Sequence, residues 1–185
     1  MEPNKVESTI KKLAPYVGIP AIGCMWFFLR GVGLEGYTVI IRELLIVFGY
    51  LAALTDIRER RVPNKLIVSM VTAWVLTTVP PLIINTDEMS AHILSSLVGL
   101  AVASLAMLIT YIVSRHGLGG GDVKWMSATG LYLGFRAVLP ALLCGSVLSA
   151  LYGGIMVLLK KMSIKDTLPF IPFLYAGVLL TIFVT

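Results

Sequence analysis

Long apolar runs, separated by short polar segments, make up most of the chain. They cover approximately residues 16–29, 38–55, 66–85, 92–114, 125–135, 137–159 and 168–184. Most of them contain the ~17–25 residues that cross a hydrocarbon core of ~30 Å, whereas the first and the fifth are short. Because the runs are continuously apolar rather than alternating, they predict helices and not the strands of a barrel. The pattern therefore predicts an all-α, polytopic bundle of transmembrane helices.

Basic residues are concentrated between these runs. Twelve of the 15 Lys and Arg residues lie in an N-terminal arm and three loops, namely residues 1–15, 56–65, 115–124 and 160–167. Loop 86–91 has Asp87 and Glu88 but no basic residue. Since positive loops stay on the cytoplasmic side, we expect the N-terminus and the three basic loops to be cytoplasmic.

This orientation predicts a hairpin within residues 125–159. The second and third basic loops lie on the same side, so an even number of crossings must separate them. We expect the turn near Phe135 and Arg136, after a short first arm. Seven spans result, or six if residues 16–29 do not cross; we expect that run to be retained, because no small-residue cleavage site follows it. One membrane-embedded domain, residues 16–185, would then follow a cytoplasmic arm.

Composition supports a protein of the lipid bilayer. The chain is 57% hydrophobic and 14% charged, with a mean hydropathy of +0.90, whereas soluble domains contain about 25% charged residues. We attribute the net charge of +5 to cytoplasmic loops and expect no nucleic-acid partner, because no basic stripe with interleaved aromatic residues occurs. Cys24 and Cys144 have no CxxC partner, so neither a zinc site nor a disulfide framework is predicted. We expect no metal and no cofactor.

The residues within the runs predict how the helices pack. Small side chains are frequent in residues 92–114 and 125–159, and they suit a close approach of two helix backbones. Trp26, Trp74, Trp125 and Tyr37 occur near the ends of runs, where tryptophan and tyrosine commonly anchor a protein in the membrane interface, so we expect anchors rather than a ligand cage.

Two aspartates occupy matching positions at run ends. Asp56 and Asp122 each lie where an apolar run meets a basic loop. A carboxylate at the edge of the hydrocarbon is costly to keep, so it predicts a function. For any single such residue, a solvated pair with Arg58 or Lys124, or a helix cap, is the commoner explanation. Two in matching positions favour a functional pair at the cytoplasmic boundary.

A pair of neighbouring carboxyl groups can hydrolyse a peptide bond. Both cannot ionise cheaply, so one keeps its proton while the other is charged. The ionised member takes a proton from water while the neutral member polarises the scissile carbonyl. Because the pair titrates as a unit, the sequence does not assign the shared proton to Asp56 or Asp122.

Three glycines precede the second aspartate. Gly119, Gly120 and Gly121 allow backbone with positive φ and a close approach to a substrate strand. They also predict a flexible loop whose closure on a substrate aligns the pair. A phosphate-binding loop is the competing interpretation, but Asp122 is followed by no GK[ST] ending, and no strand precedes the glycines.

The joint pattern resembles the prepilin peptidases, the type IV leader peptidase family of GxGD-type aspartic membrane proteases. It reads Asp-x-Arg-x-x-x-aliphatic-Pro-Asn, followed later by Gly-x-Gly-Asp-x-Lys. The matching positions are Asp56, Arg58, Val62, Pro63, Asn64, Gly119, Gly121, Asp122 and Lys124. Residues 169–173, Pro-Phe-Ile-Pro-Phe, are similar to a Pro-Phe-Gly-Pro-Phe stretch of these enzymes, with Ile171 where Gly is usual. The resemblance extends from about residue 40 to the C-terminus.

The resemblance implies cleavage of type IV prepilin or pseudopilin precursors at the cytoplasmic face of the inner membrane, after a short basic leader. Asp56 and Asp122 carry over as the catalytic pair. Substrate-binding or loop-positioning roles carry over to Gly119, Gly120, Gly121, Lys124, Arg58, Pro63 and Asn64. Larger members have a cysteine-bearing cytoplasmic insert and also N-methylate the product. The sequence shows neither that insert nor a CxxC pair, which puts methyltransferase activity in doubt.

Two other functions are compatible with the residues alone. A small proton-coupled carrier would use the carboxyls as a relay, although both lie at one face rather than near the bilayer midplane, where transport sites usually lie. A non-catalytic assembly factor of a secretion or pilus system would still support its pathway without both aspartates. The sequence specifies no oligomeric state.

Overall fold

The computed structural model describes residues 18–31, 36–84, 86–114, 118–163 and 168–184. Within these ranges the regular structure is entirely helical, which confirms the all-α class. The helices are α1 (Gly18–Trp26, continued by a π-helical turn, Phe27–Gly31), α2 (Gly36–Glu59), α3 (Asn64–Ile84), α4 (Thr86–Val113), α5 (Gly120–Leu158) and α6 (Ile171–Val184). The predicted arm, residues 1–15, lies outside the described residues.

The helices reproduce the apolar runs to within a few residues. In the part of the chain that the structure describes, α2, α3, α4 and α5 are long and apolar enough to cross a membrane, and α1 and α6 are shorter apolar helices. Large apolar side chains such as Phe28, Ile83 and Leu158 are exposed on the outside of the bundle. Exposed apolar surface on this scale is unfavourable in water and favourable against lipid tails. The chain is therefore an integral membrane protein.

Helix α5 is interrupted at Gly134. This residue has φ 67° and ψ −178°, a conformation that side chains with a Cβ rarely adopt. A Cβ here would also lie 2.8 Å from Ser95 Oγ. The same Ser95 hydroxyl oxygen accepts a hydrogen bond from the backbone N–H of Phe135 at 3.3 Å. The predicted turn near residues 135–136 is thus confirmed to within two residues.

The two arms of α5 run in opposite directions. A continuous helix of 39 residues would be about 58 Å long, far beyond a hydrocarbon core of about 30 Å. Ala137, just after the break, shares a cavity with Ile182 near the end of α6. Gly153, near the end of the second arm, lies close to Leu168, which lines the same cleft as Asp122. The first arm therefore carries the chain away from Asp122 and the second brings it back.

Glycines allow the hairpin to pack closely on its neighbours. A Cβ on Gly130, in the first arm, would lie 2.5 Å from the carbonyl oxygen of Gly99 on α4. A Cβ on Gly145, in the second arm, would lie 2.6 Å from the Cα of Leu174 on α6. Both contacts are with backbone, which cannot move aside as a side chain can. The prediction of close packing through small residues is confirmed.

Helices α2 and α6 pack antiparallel. The hydroxyl of Tyr175 donates to the carbonyl oxygen of Ile46 at 3.0 Å, halfway along α2. Thr38, near the start of α2, lines a cavity together with Ile182, near the end of α6. This direction brings the N-terminus of α6 to the C-terminal end of α2, where Asp56 lies.

The interface-anchor interpretation of the tryptophans is wrong. Trp26, Trp74 and Trp125 are 0%, 7% and 0% exposed and belong to the hydrophobic core. An anchoring tryptophan must reach the lipid headgroups, and these three side chains are enclosed by protein. Their positions near run ends reflect where the helices contact one another.

Candidate active site

The two predicted aspartates come together at one end of the bundle. Asp56 lies in the last turns of α2 and Asp122 in the first turn of α5. Their side chains are 5% and 8% exposed and close enough for the charge of Asp56 to act on Asp122. Both line a cleft of about 440 Å³. The fold therefore joins two carboxyl groups that lie far apart in the sequence.

Asp56 is held by the N-terminus of α6. Its Oδ2 accepts a hydrogen bond from the backbone N–H of Ile171 at 3.1 Å, and the N–H of Phe170 lies near the carboxyl group. The first N–H groups of a helix have no partner within the helix, so a carboxylate from elsewhere can accept from them. The positive charge of Arg60 also acts on Asp56. A nearly buried carboxyl group requires partners of this kind.

The prolines of residues 169–173 explain why this helix start has a backbone N–H group available for Asp56. The carbonyl oxygen of Phe170 accepts from the N–H groups of Phe173 and Leu174, at 3.1 and 3.2 Å, and so begins the helix. Pro172 has no N–H to offer, and proline fits the first turn because that donor would have no helical partner. The N–H of Ile171 is left for Asp56.

Asp122 is held by its own helix start. Its Oδ2 accepts from the backbone N–H of Gly119 at 3.1 Å. In return, the N–H of Asp122 donates to the carbonyl oxygen of Gly119 at 3.0 Å. A carboxylate in the first turn of a helix is also stabilised by the positive end of the helix dipole. Asp122 and Asp56 thus each accept a hydrogen bond from a backbone N–H group at a helix start.

None of the three glycines has a positive φ, which corrects the sequence prediction. Gly119 is extended (φ −73°, ψ 137°), Gly120 and Gly121 begin α5, and Gly134 has the one positive φ among the described glycines. A Cβ on Gly121 would touch the backbone nitrogen of Val62 at 3.4 Å, and one on Gly119 would lie 3.1 Å from Asp122 Oδ2. A Cβ on Gly120 would meet nothing within 4 Å.

The remaining predicted residues divide into two groups. Lys124 and Asn64 line the cleft together with the three glycines, and Lys124 Nζ donates to Asn64 Oδ1 at 3.2 Å. Arg58 and Pro63 are not among the lining residues. The carbonyl oxygen of Pro63 instead accepts from the N–H of Leu66 at the start of α3, 3.0 Å away. The cleft therefore brings together only some of the residues that the sequence predicted to bind substrate or to position the loops.

Sequence reasoning missed a third wall of the cleft. Leu168, Pro169 and Phe170 line it, in addition to Arg60 and Arg61 of the turn after α2. The Pro-Phe-Ile-Pro-Phe stretch was noticed for its likeness to a family motif, but no role followed from it. The sequence signal was a pair of prolines, Pro169 and Pro172, separated by two residues. Prolines are typical of the start of a helix, because their fixed φ suits the first turn.

This geometry suits acid–base chemistry on a polar substrate. Two nearly buried carboxyl groups share a cleft, and each is already bonded to backbone donors. A water between them could lose a proton to one carboxyl while the other donates to a carbonyl oxygen. Within the described ranges, no three His, Cys, Asp or Glu side chains are grouped as ligands for a metal ion.

A comparison with known families places the chain in one of them. The sequence model of the type IV leader peptidase family matches residues 43–154, more than half of the chain. The chain belongs to the type IV leader peptidase family. The matched segment of this family member contains both aspartates and ends before the residues 169–173 that hold Asp56. The predicted family resemblance is confirmed.

Three relatives in this family are named prepilin leader peptidase/N-methyltransferase. The protein of Bacillus subtilis (strain 168) is 27% identical over 150 residues, covering 81% of this chain and 56% of the relative. That of Xanthomonas campestris pv. campestris is 25% identical over 161 residues, covering 84% and 52%. That of Stutzerimonas stutzeri is 28% identical over 137 residues, covering 71% and 45%. The chain thus spans about half the length of these relatives. No solved structure matches it.

Proposed function

We propose that this protein is an aspartic endopeptidase that removes the short basic leader from type IV prepilin or pseudopilin precursors. The observation that carries the proposal is the meeting of Asp56 and Asp122 in one cleft, close enough to interact electrostatically. Membership of the type IV leader peptidase family supports the substrate class. The names of the relatives support it as well.

The proposed reaction uses both carboxyl groups. The ionised one removes a proton from a water molecule, which attacks the scissile carbonyl carbon, while the protonated one donates to the carbonyl oxygen. The two carboxyl groups then exchange roles. The former base gives its proton to the departing amide nitrogen, and the former acid takes a proton back from a hydroxyl group of the intermediate. The surroundings of the two carboxyl groups are unequal, since the positive charge of Arg60 acts on Asp56. This inequality favours Asp56 as the base and Asp122 as the acid.

We further propose that the cleft lies at the cytoplasmic face of the inner membrane and that the N-terminus is cytoplasmic. The basic residues at the cleft end of the bundle support this orientation, because positive loops stay inside. Residues 16–185 would form the membrane-embedded peptidase domain, with six or seven spans.

Co-expression with candidate precursors tests the proposal. Asp56→Asn and Asp122→Asn should each lower cleavage by at least about a thousandfold, since neither carboxyl can complete the exchange of roles alone. The mature N-terminus is measured by mass spectrometry, which also detects any added methyl group. Membrane fractionation shows that both variants are still inserted.

The matched control is Asp87→Asn, which changes an exposed carboxyl outside the cleft and should cleave like the wild type. Substantial cleavage by either single aspartate variant would refute the proposal. A wild-type protein that leaves every prepilin-like precursor intact would refute it equally.

A further inference from the structure

The spacing of the two aspartates depends on a turn that neither aspartate belongs to. Helices α2 and α5 touch one another far less than α4 and α5 do. The turn after α2, residues 60–63, and Asn64 at the start of α3 contact the start of α5 instead. Whatever holds that turn against α5 therefore influences the distance between Asp56 and Asp122.

The turn is joined first to Asp56. The N–H of Arg60 donates to the carbonyl oxygen of Asp56 at 2.9 Å and closes the end of α2. Arg60 has φ 51°, a left-handed conformation that costs a non-glycine residue about 1 kcal/mol or more and ends the helix abruptly. The chain after Asp56 is thus directed across the cleft rather than onwards along α2.

The turn is joined next to the segment of Asp122, through two contacts. Val62 is 8% exposed and packs on Gly121, next to Asp122. Lys124, two residues beyond Asp122, donates from Nζ to Asn64 Oδ1 at 3.2 Å. The acceptor is a neutral amide, so Lys124 keeps its uncompensated positive charge. A carboxylate acceptor would neutralise that charge.

We propose that the Lys124–Asn64 hydrogen bond is a latch that positions the catalytic pair. The latch, defined as these two side chains, acts through the turn and not by contact with the substrate. This inference rests on the proposed function, since it concerns the geometry of the same site. With the latch broken, the turn separates from α5, and the carboxyl groups no longer share one water.

A double-mutant cycle tests the latch. Lys124→Met and Asn64→Ala should each lower kcat by roughly 10- to 100-fold, because misplacing a reacting group by about 1 Å costs up to about a hundredfold. KM should change by less than about threefold, since little binding energy is lost. The double variant should be no slower than the slower single variant, because both remove the same bond.

The matched control is Lys65→Met. Lys65 is an exposed lysine next to Asn64 that does not line the cleft, so its replacement should leave kcat unchanged. Losses in the two single variants that multiply in the double variant would overturn the proposal. A rise in KM with kcat preserved would also overturn it, since that result assigns Lys124 to substrate binding.

A distance measurement separates failure of the latch from failure of the proposed function. Cys24 and Cys144 are replaced by Ser, and spin labels are attached at Glu59→Cys and Gly120→Cys, at the ends of α2 and α5. In the wild-type background we expect one narrow distance distribution, and with Lys124→Met a broader and longer one. An unchanged distribution would overturn the latch even if cleavage is lost. This result requires no activity, whereas the aspartate variants test the peptidase proposal by themselves.

Discussion

Backbone N–H groups donate hydrogen bonds to both aspartates. Asp56 accepts from Ile171 and Asp122 from Gly119, in each case at a helix start. A backbone donor fixes the position of an oxygen without adding a full positive charge. A bidentate arginine at the same place would favour ionisation of both carboxyls and remove the acid from the pair. The donors thus orient the pair and leave one proton available to it.

The contact of Gly119 with Asp122 gives a prediction at this scale. In Gly119→Ala the new Cβ would lie 3.1 Å from Asp122 Oδ2, so the carboxyl must move by a few tenths of an ångström. We expect kcat to fall roughly tenfold, measured with a purified precursor in detergent. Gly120→Ala places its Cβ in open space and should lose about threefold at most. Equal losses in the two variants would contradict the argument.

At the scale of the elements, the α5 hairpin depends on backbone contact with its neighbours. Gly130 meets Gly99 of α4, and Gly145 meets α6. In a membrane, helices associate without the hydrophobic effect that operates in water, so close packing contributes much of their attraction. The first arm of α5 carries Asp122, and its position along α4 is therefore set by these small residues.

Enlarging one of these glycines should separate the helices. In Gly130→Ala the Cβ would lie 2.5 Å from the carbonyl oxygen of Gly99, and overpacking of this kind costs about 1–3 kcal/mol. Gly154→Ala, at an open position of the second arm, should be neutral or stabilise the helix by up to about 1 kcal/mol. Reversible unfolding in mixed micelles measures both changes. A Gly130→Ala variant as stable as the wild type would show that the two helices do not touch here.

At the scale of the whole molecule, the two ends of the bundle differ in charge. The cleft end carries Arg58, Arg60, Arg61, Lys65 and Lys124, and the cleft itself contains both aspartates. The opposite end has fewer basic residues: Arg30 and Arg136 lie there, and the start of α4 carries Asp87 but no base. Because basic loops are retained on the cytoplasmic side, this asymmetry predicts how the protein is inserted. A precursor with a basic leader would meet the cleft before it leaves the cytoplasm.

Cysteine labelling tests this orientation. Cys24 and Cys144, both free and exposed, are first replaced by Ser, and single cysteines are introduced as Asp87→Cys and Lys161→Cys. In intact spheroplasts, a membrane-impermeant maleimide should label position 87 and not position 161. Permeabilised cells should show labelling at both positions. Labelling of position 161 from outside would reverse the proposed topology and exclude a cytoplasmic cleft.

The sequence by itself determined the helices, the turn near Gly134 and the two aspartates. Spans in lipid must satisfy their own backbone hydrogen bonds, so an apolar run of sufficient length allows little besides a helix. The parity of basic loops required a reversal within residues 125–159 without any knowledge of packing. Asp56 and Asp122 were recognisable because carboxyl groups are rare at such boundaries.

Only the tertiary structure decided which side chains face the cleft. A helix that is apolar on all sides has no periodic pattern to show which face is buried, so the burial of Trp125 was not predictable. The backbone donor to Asp56 belongs to Ile171, 115 positions away. A backbone N–H group is present in almost every residue, so the type of side chain does not show that Ile171 would be the donor. Arg58 belongs to the motif and yet does not line the cleft. Which way a side chain points depends on how the helices pack against one another, and the packing is set only when the whole bundle has formed.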